Sequence, residues 1–212
     1  MMKGIWFDNI HSYEDLNLVL SSVSIPPAQV KESYIDIPGA DGSLDLTEAN
    51  GDVKYKDRTC SFIFTSFPSD DFEVKKQQIS NFLNGRRCAL VLDKDSAYYW
   101  EGRCFVSEYA SDKNLHRIAV TAKVSPYKQK RVVTEVIASA GTSVHATLMN
   151  GRRKVVPTIT VTAAATIVFE GNVFNLGVGT HAPLDFVLKH GENQVTVTST
   201  QPVRFTYREG DL

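Results

Sequence analysis

The chain has 212 residues, 42% of them hydrophobic and 22% charged, a composition that excludes wholesale disorder and allows one large domain or two modest ones. Its 23 Lys and Arg stand against 24 Asp and Glu, a net charge of −1, so nothing in the balance argues for specific nucleic-acid binding. No run approaches the ~18 consecutive apolar residues of a membrane span. The start, Met1-Met2-Lys3-Gly4-Ile5-Trp6-Phe7-Asp8, turns acidic without a signal-peptide apolar region, so the expectation is synthesis in a reducing cytoplasm with no membrane insertion.

After Asp8, Ser12 and Asp15 supply N-terminal capping chemistry for a short helix from Ser12 to Leu20. The segment Ile37-Pro38-Gly39-Ala40-Asp41-Gly42-Ser43-Leu44-Asp45-Leu46-Thr47-Glu48 is built of turn pairs, Pro-Gly and Asp-Gly, and reads as an ordered surface loop joining two strands. Its acids Asp41, Asp45 and Glu48 lack the alternating spacing of a calcium loop. They also lack the apolar enclosure that tunes a catalytic carboxylate pair. Cys60, Phe62 and Phe64 then alternate with Thr59, Ser61 and Thr65, a strand with one buried and one wet face.

Pro68 cannot continue a central strand. Asp70 and Glu73 have capping-box spacing, and a helix follows. Phe72, Ile79, Phe82 and Leu83 lie along one side of it, with Lys75, Lys76, Gln77 and Gln78 over the others. Asn84-Gly85 ends it, and Arg86-Arg87 would complement the negative end of its dipole. Asp93 and Asp95 after the strand Ala89 to Leu92 form a possible carboxylate pair, but Asp-Lys-Asp-Ser is ordinary turn chemistry. Cys60, Cys88 and Cys104 are odd in number, far apart in sequence and set among apolar strand residues. They read as buried free thiols rather than as a disulfide or metal site.

Ile118, Val120, Ala122 and Val124 form another alternating strand, and Ser125-Pro126-Tyr127-Lys128-Gln129-Lys130-Arg131 then marks a boundary between residues 1–130 and 131–212. Both tryptophans and all three cysteines precede it. Beyond it Thr, Val and Ala dominate, with turn signals at Asn150-Gly151, Glu170-Gly171-Asn172 and His190-Gly191-Glu192-Asn193. Alternation at Ile159 and Val161, Val195 and Val197, and Val203, Phe205 and Tyr207 completes the pattern of a small β-sandwich. The fold class is mainly β with one firm helix.

Catalytic patterns are missing from the sequence. The histidines His11, His116, His145, His181 and His190 are scattered, with no Gly-x-Ser-x-Gly elbow, no His-Glu-x-x-His helix and no glycine-rich phosphate loop. No catalytic residue, metal-ligand set or cofactor site is assigned. Arg152-Arg153-Lys154 reads as a hairpin flank, with a subunit interface or a channel wall as the sharper reading. A carbohydrate-binding module is the rival function. It requires an exposed aromatic ring, whereas Phe169, Phe174, Phe186, Phe205 and Tyr207 nearly all occupy inward positions of their strands.

Several segments, in order, resemble the distal tail protein family of long-tailed bacteriophages. They are Gly4-Ile5-Trp6-Phe7-Asp8 with His11-Ser12-Tyr13 and Asp15-Leu16; Ile37-Pro38-Gly39, Asp41-Gly42 and Leu44-Asp45-Leu46-Thr47 with Tyr55 and Arg58-Thr59; and Ser125-Pro126-Tyr127-Lys128. Gly191-Glu192-Asn193 and the final Tyr207-Arg208-Glu209-Gly210-Asp211-Leu212 complete the series. The resemblance implies an N-terminal β-sandwich with a helix and a projecting hairpin, packed as a hexameric ring around a central channel, and a galectin-like C-terminal β-sandwich outside it. Such rings join the tail tube, or its terminator, to the tail-associated hub protein and carry receptor-binding or baseplate proteins. The location implied is the virion tail tip, assembled in the bacterial host cytoplasm. The long insertions that form arms or carbohydrate-binding modules in some relatives have no room here. Assembly candidates carried by the resemblance are Pro38, Gly39, Asp41, Gly42, Asp45, Tyr55 and Arg58, then Pro126 and Tyr127, then Arg208, Glu209 and Gly210.

Overall fold

The computed structural model describes residues 4–49, 51–66, 71–112 and 115–212. The chain forms two compact units, one ending at Pro126 and the other spanning Tyr127–Leu212.

In the first unit the strands are β1 (Ile5–Phe7), β2 (Ile10–His11), β3 (Val19–Ser24), β4 (Tyr34–Asp36), β5 (Ser43–Asp45) and β6 (Arg58–Ser66). Helix α1 (Phe72–Leu83) follows, then β7 (Arg87–Leu92), β8 (Tyr98–Ser111) and β9 (His116–Val124). Seven of these strands make one antiparallel path, β2-β1-β7-β8-β9-β6-β3. The path curls until its parts face each other, with the Phe7 and Phe64 rings 6.1 Å apart across the core. Alternation drives this: Cys60, Phe62 and Phe64 on β6 and Ile118, Val120, Ala122 and Val124 on β9 all point inward and are buried. Bulges bend the long strands. Ser21 and Ser107 fall where the register shifts, and their hydroxyls donate to the Ile63 and Ala119 carbonyls at 2.9 and 3.1 Å.

The helix buries Phe72, Ile79 and Leu83, the side expected from the sequence. Its N-cap, however, is Asp71, whose carboxylate accepts from Val74 N at 3.4 Å; Asp70 and Pro68 lie outside the described residues. Gly85 ends the helix at φ +80, the left-handed conformation glycine takes without strain. Arg86 N donates to Leu83 O at 3.0 Å, while the two guanidinium groups pair elsewhere. Arg86 pairs with Asp8 at 3.1 Å and lies over the Phe82 ring, while Arg87 pairs with Glu101 at 2.9 Å.

The helix expected from Ser12 to Leu20 does not form. Its capping groups are engaged elsewhere: Ser12 Oγ accepts from Ile5 N at 3.1 Å and Asp15 accepts from His11 N at 2.6 Å. A turn closes at Asn17, which sits at φ +50, and β3 begins two residues later. All three cysteines are free and buried, as read from the sequence. Cys88 and Cys104 are nevertheless neighbours in space, their sulfurs 3.9 Å apart on adjacent strands.

The second unit contains β10 (Lys128–Lys130), β11 (Thr134–Ala138), β12 (Gly141–Asn150), β13 (Thr158–Val161) and β14 (Ala165–Phe169). It continues through β15 (Asn172–Leu176), β16 (Gly179–His181), β17 (Gly191–Ser199), β18 (Val203–Tyr207) and β19 (Gly210–Asp211). Two four-stranded antiparallel sheets, β11-β18-β13-β16 and β12-β17-β14-β15, enclose one core. Phe186 is its centre, stacked on Phe169 at 4.4 Å with Phe174 and Phe205 at 5.2 and 6.2 Å.

Candidate assembly surface

The sequence candidates between Pro38 and Asp45 fall on one arm, the hairpin β4–β5, which pairs with no other strand among the described residues. Its root is the bridge between Val30 and Tyr55, flanked by Lys31 N to Lys54 O at 2.7 Å and Lys56 N to Gln29 O at 2.8 Å. At the tip Ala40 N donates to Ile37 O at 3.1 Å, with Pro38 and Gly39 in the two central positions and Gly39 at φ +83. This is the turn for which Pro-Gly is suited, since proline presets the first angle and glycine accepts the second. Gly42, at φ +76, leads into β5, and Ser43 Oγ donates to Asp36 at 2.6 Å across the neck.

Every residue of both arm strands is exposed. Ile35 is opposite Leu44, while Tyr34 is opposite Asp45 and Asp36 is opposite Ser43. Side chains alternate across a strand, so one face of the ribbon is apolar and the other acidic. Ile35, Ile37 and Leu44 are 51%, 49% and 49% exposed. On the other face Asp45 accepts from Thr47 N at 2.8 Å, and hydrogen bonds from the Thr47 side chain and backbone hold its carboxyl below the usual range. Asp45, then Glu32, pushes the Tyr34 phenol up.

Arg58, where the arm's return strand enters the sheet, is 7% exposed. Nη1 donates to Pro26 O at 3.4 Å, while Nε and Nη2 are buried without a partner among the described residues. Burial lowers its pKa from the ordinary arginine value. Pro126 and Tyr127 stand at the division between the units.

The C-terminal candidates form a separate cluster inside the second unit. Arg208 Nη1 donates to the Lys130 and Arg131 carbonyls at 2.5 and 2.6 Å. Glu209 accepts from Lys130 Nζ at 2.8 Å and from Thr134 Oγ1 at 2.5 Å. Gly210 O accepts from Arg153 N at 2.8 Å, so the basic run after Asn150 is folded into this clamp. These residues hold β10 and the 152–154 turn.

Two features were missed in the sequence. His11, 2% exposed, spans 82 positions to place Nε2 3.1 Å from Asp93 Oδ2, which also accepts from Gly4 N at 2.6 Å. His11 Nδ1 accepts from Glu14 N at 3.2 Å. Both ring nitrogens and Asp93 therefore fasten the N-terminal strand, and the Asp93–Asp95 pair is divided by this tie. The second is a row of cations, Arg87, Arg103 and Lys123, in cross-strand register on the outer face of the sheet. The cue was their placement on the outward phase of three strands, but the register that aligns them was not readable.

No family model and no curated protein matches the sequence. Among solved structures the chain is similar to the crystal structure of the SPP1 Dit (gp 19.1) protein, described as a paradigm of the hub adsorption apparatus in phages infecting Gram-positive bacteria. The identity is 12% and the TM-score 0.71, over 98% of this chain and 99% of that one. The resemblance read from short ordered motifs is thus met in the backbone: this mainly β chain has the fold of SPP1 Dit across nearly its whole length.

Proposed function

We propose that this chain is a structural subunit of a bacteriophage or prophage tail tip. It closes a hexameric ring that joins the tail tube, or terminator-side proteins, to a tail-associated hub protein and the host-adhesion device. The observation that carries this reading is the β4–β5 arm, a ribbon with an apolar and an acidic face, both in solvent. Half-exposed Ile35, Ile37 and Leu44 each have roughly 1 kcal/mol to gain from burial, and a repeated arm-to-neighbour contact is the head-to-tail kind that closes rings. The SPP1 Dit fold supports the same assignment.

In this reading residues 1–130 build the ring and 131–212, a galectin-like sandwich, decorate it, with catalysis and cofactors playing no part. The carbohydrate-module alternative is less well supported. Phe169, Phe186, Phe205 and Tyr207 are buried, and a groove of about 820 Å³ in the second unit is lined by residues such as Gly141, Thr166, Asn175 and Thr198 with no aromatic ring.

Light scattering and electron microscopy of the purified chain test the proposal. Rings, alone or with tail partners, are expected. A species that stays monomeric at high concentration with those partners present would count decisively against it.

A further inference from the structure

Two surfaces of the first unit carry unbalanced charge, and their signs are opposite. Positions 32–53 hold Glu32, Asp36, Asp41, Asp45, Glu48 and Asp52 without one Lys, Arg or His. Asp36, Asp45 and Tyr34 share the acidic face of the arm. On the sheet, Arg87 lies directly opposite Arg103, and Arg103 directly opposite Lys123. Like charges in cross-strand register repel, and all three residues are exposed. Glu101 offsets Arg87 at 2.9 Å and Asp57 offsets Lys123 at 3.7 Å. Arg103, between them, donates to the Gly85 carbonyl and has no carboxylate of its own among the described residues. Phe105, two residues along the same face, is 42% exposed, and the three cations and this ring, with the paired Glu101 and Asp57, line a groove of about 350 Å³ that keeps one excess positive charge, that of Arg103.

We propose that this groove receives the acidic face of the arm of a second copy, Asp36 and Asp45 meeting Arg103 and Lys123 while Tyr34 meets Phe105. The inference rests on the ring reading above and names the surface that the arm engages. The occupant is another copy because the chain's own arm is rooted beside the groove: the root bridge uses Tyr55, and Asp57 is on the rim. Folding back onto it would break the root hydrogen bonds of Lys31 and Lys56. An arm and a groove on opposite sides of one heterologous contact propagate from copy to copy.

The test compares assembly of the full chain with Arg103→Glu/Lys123→Glu, with Asp36→Lys/Asp45→Lys, and with all four substitutions together, by light scattering over a concentration series. These positions are exposed, and circular dichroism checks that each variant folds. Each pair should raise the concentration at half-assembly about tenfold or more, and the fourfold variant should recover most of that loss. Rings from both pairs at the wild-type concentration, or no recovery in the fourfold variant, overturn the docking while leaving the ring reading in place. A wild-type chain that forms no ring overturns the ring reading itself. Duplex DNA binding that is lost in Arg103→Glu/Lys123→Glu while assembly is unchanged overturns the proposal in favour of a nucleic-acid surface.

Discussion

Arg58→Met should stabilise the free chain, although it removes a residue carried in the assembly signature. Arg58 is 7% exposed, and its Nε and Nη2 donors are buried without partners among the described residues. A buried donor left unmade costs about 1–3 kcal/mol, and two are removed. The bond lost to Pro26, at 3.4 Å, is weak and returns only about 0.5 kcal/mol. Methionine keeps an unbranched stem in the same space, so lost packing is small. Taking the low end for each donor and subtracting the lost bond gives a gain of about 1.5 kcal/mol, which at an ordinary urea slope moves the midpoint up by roughly 1 M. Both tryptophans, Trp6 and Trp100, lie in the first unit, so fluorescence during urea unfolding reports on the right part of the chain. Arg58→Lys keeps the charge and should show no gain. A midpoint for Arg58→Met that is unchanged or lower, at constant slope, would refute the reasoning.

Gly102→Ala should be severe, because a Cβ there would stand 2.3 Å from Lys123 O and 2.8 Å from Val124 Cα on β9. A loss of about 3 kcal/mol or more is expected in the same urea assay, and a loss below about 1 kcal/mol would contradict the close approach. Tyr207 donates to Met149 O at 2.5 Å, and burial, then Glu209, pushes its phenol up to about 12. The unfolded phenol ionises near 10, so this contribution is complete below pH ~10 and is lost as pH rises toward 12. Absorbance titration at ~295 nm should show a phenol titrating near 12 that disappears in Tyr207→Phe; its persistence would assign that phenol elsewhere. Burial raises the Cys60 thiol, and the adjacent Cys88 sulfur together with burial raises that of Cys104. Ellman's reagent at pH 8 should therefore find Cys60 and Cys104 slow in the native chain and fast in urea; rapid native labelling of either would contradict their burial.

Period-two alternation made the strands legible because each sheet has one wet face, and Cys60-Phe62-Phe64 and Val203-Phe205-Tyr207 show it without interruption. The Pro-Gly and Asp-Gly pairs foretold the arm tip, since those residues carry their backbone preference with them. Local signals failed where a long-range bond outbid them. Ser12 looked like a helix cap, yet its hydroxyl accepts from Ile5 N, and the chain turns at Asn17 instead of continuing. The His11–Asp93 tie and the Cys88–Cys104 neighbours join positions 82 and 16 residues apart, separations that no spacing motif encodes. The row Arg87, Arg103 and Lys123 depends on the register of three strands, and register is set by the assembled sheet.

The two ends of the sequence signature therefore do different physical work. Arg208, Glu209 and Gly210 spend their polar groups inside the second unit, on the carbonyls of Lys130 and Arg131, on Lys130 Nζ and Thr134 Oγ1, and on Arg153 N. Substituting them would remove part-buried hydrogen bonds and would act first on folding. Asp36, Ile35, Leu44 and Asp45 are exposed in the free chain, and their substitution costs little until a neighbour is present. A motif closed on itself is a stability motif, and in the proposed ring a motif open to solvent on both faces would gain its free energy from a neighbouring copy. The arm belongs to the second kind, which is why assembly state rather than melting temperature is the property on which its residues should be judged.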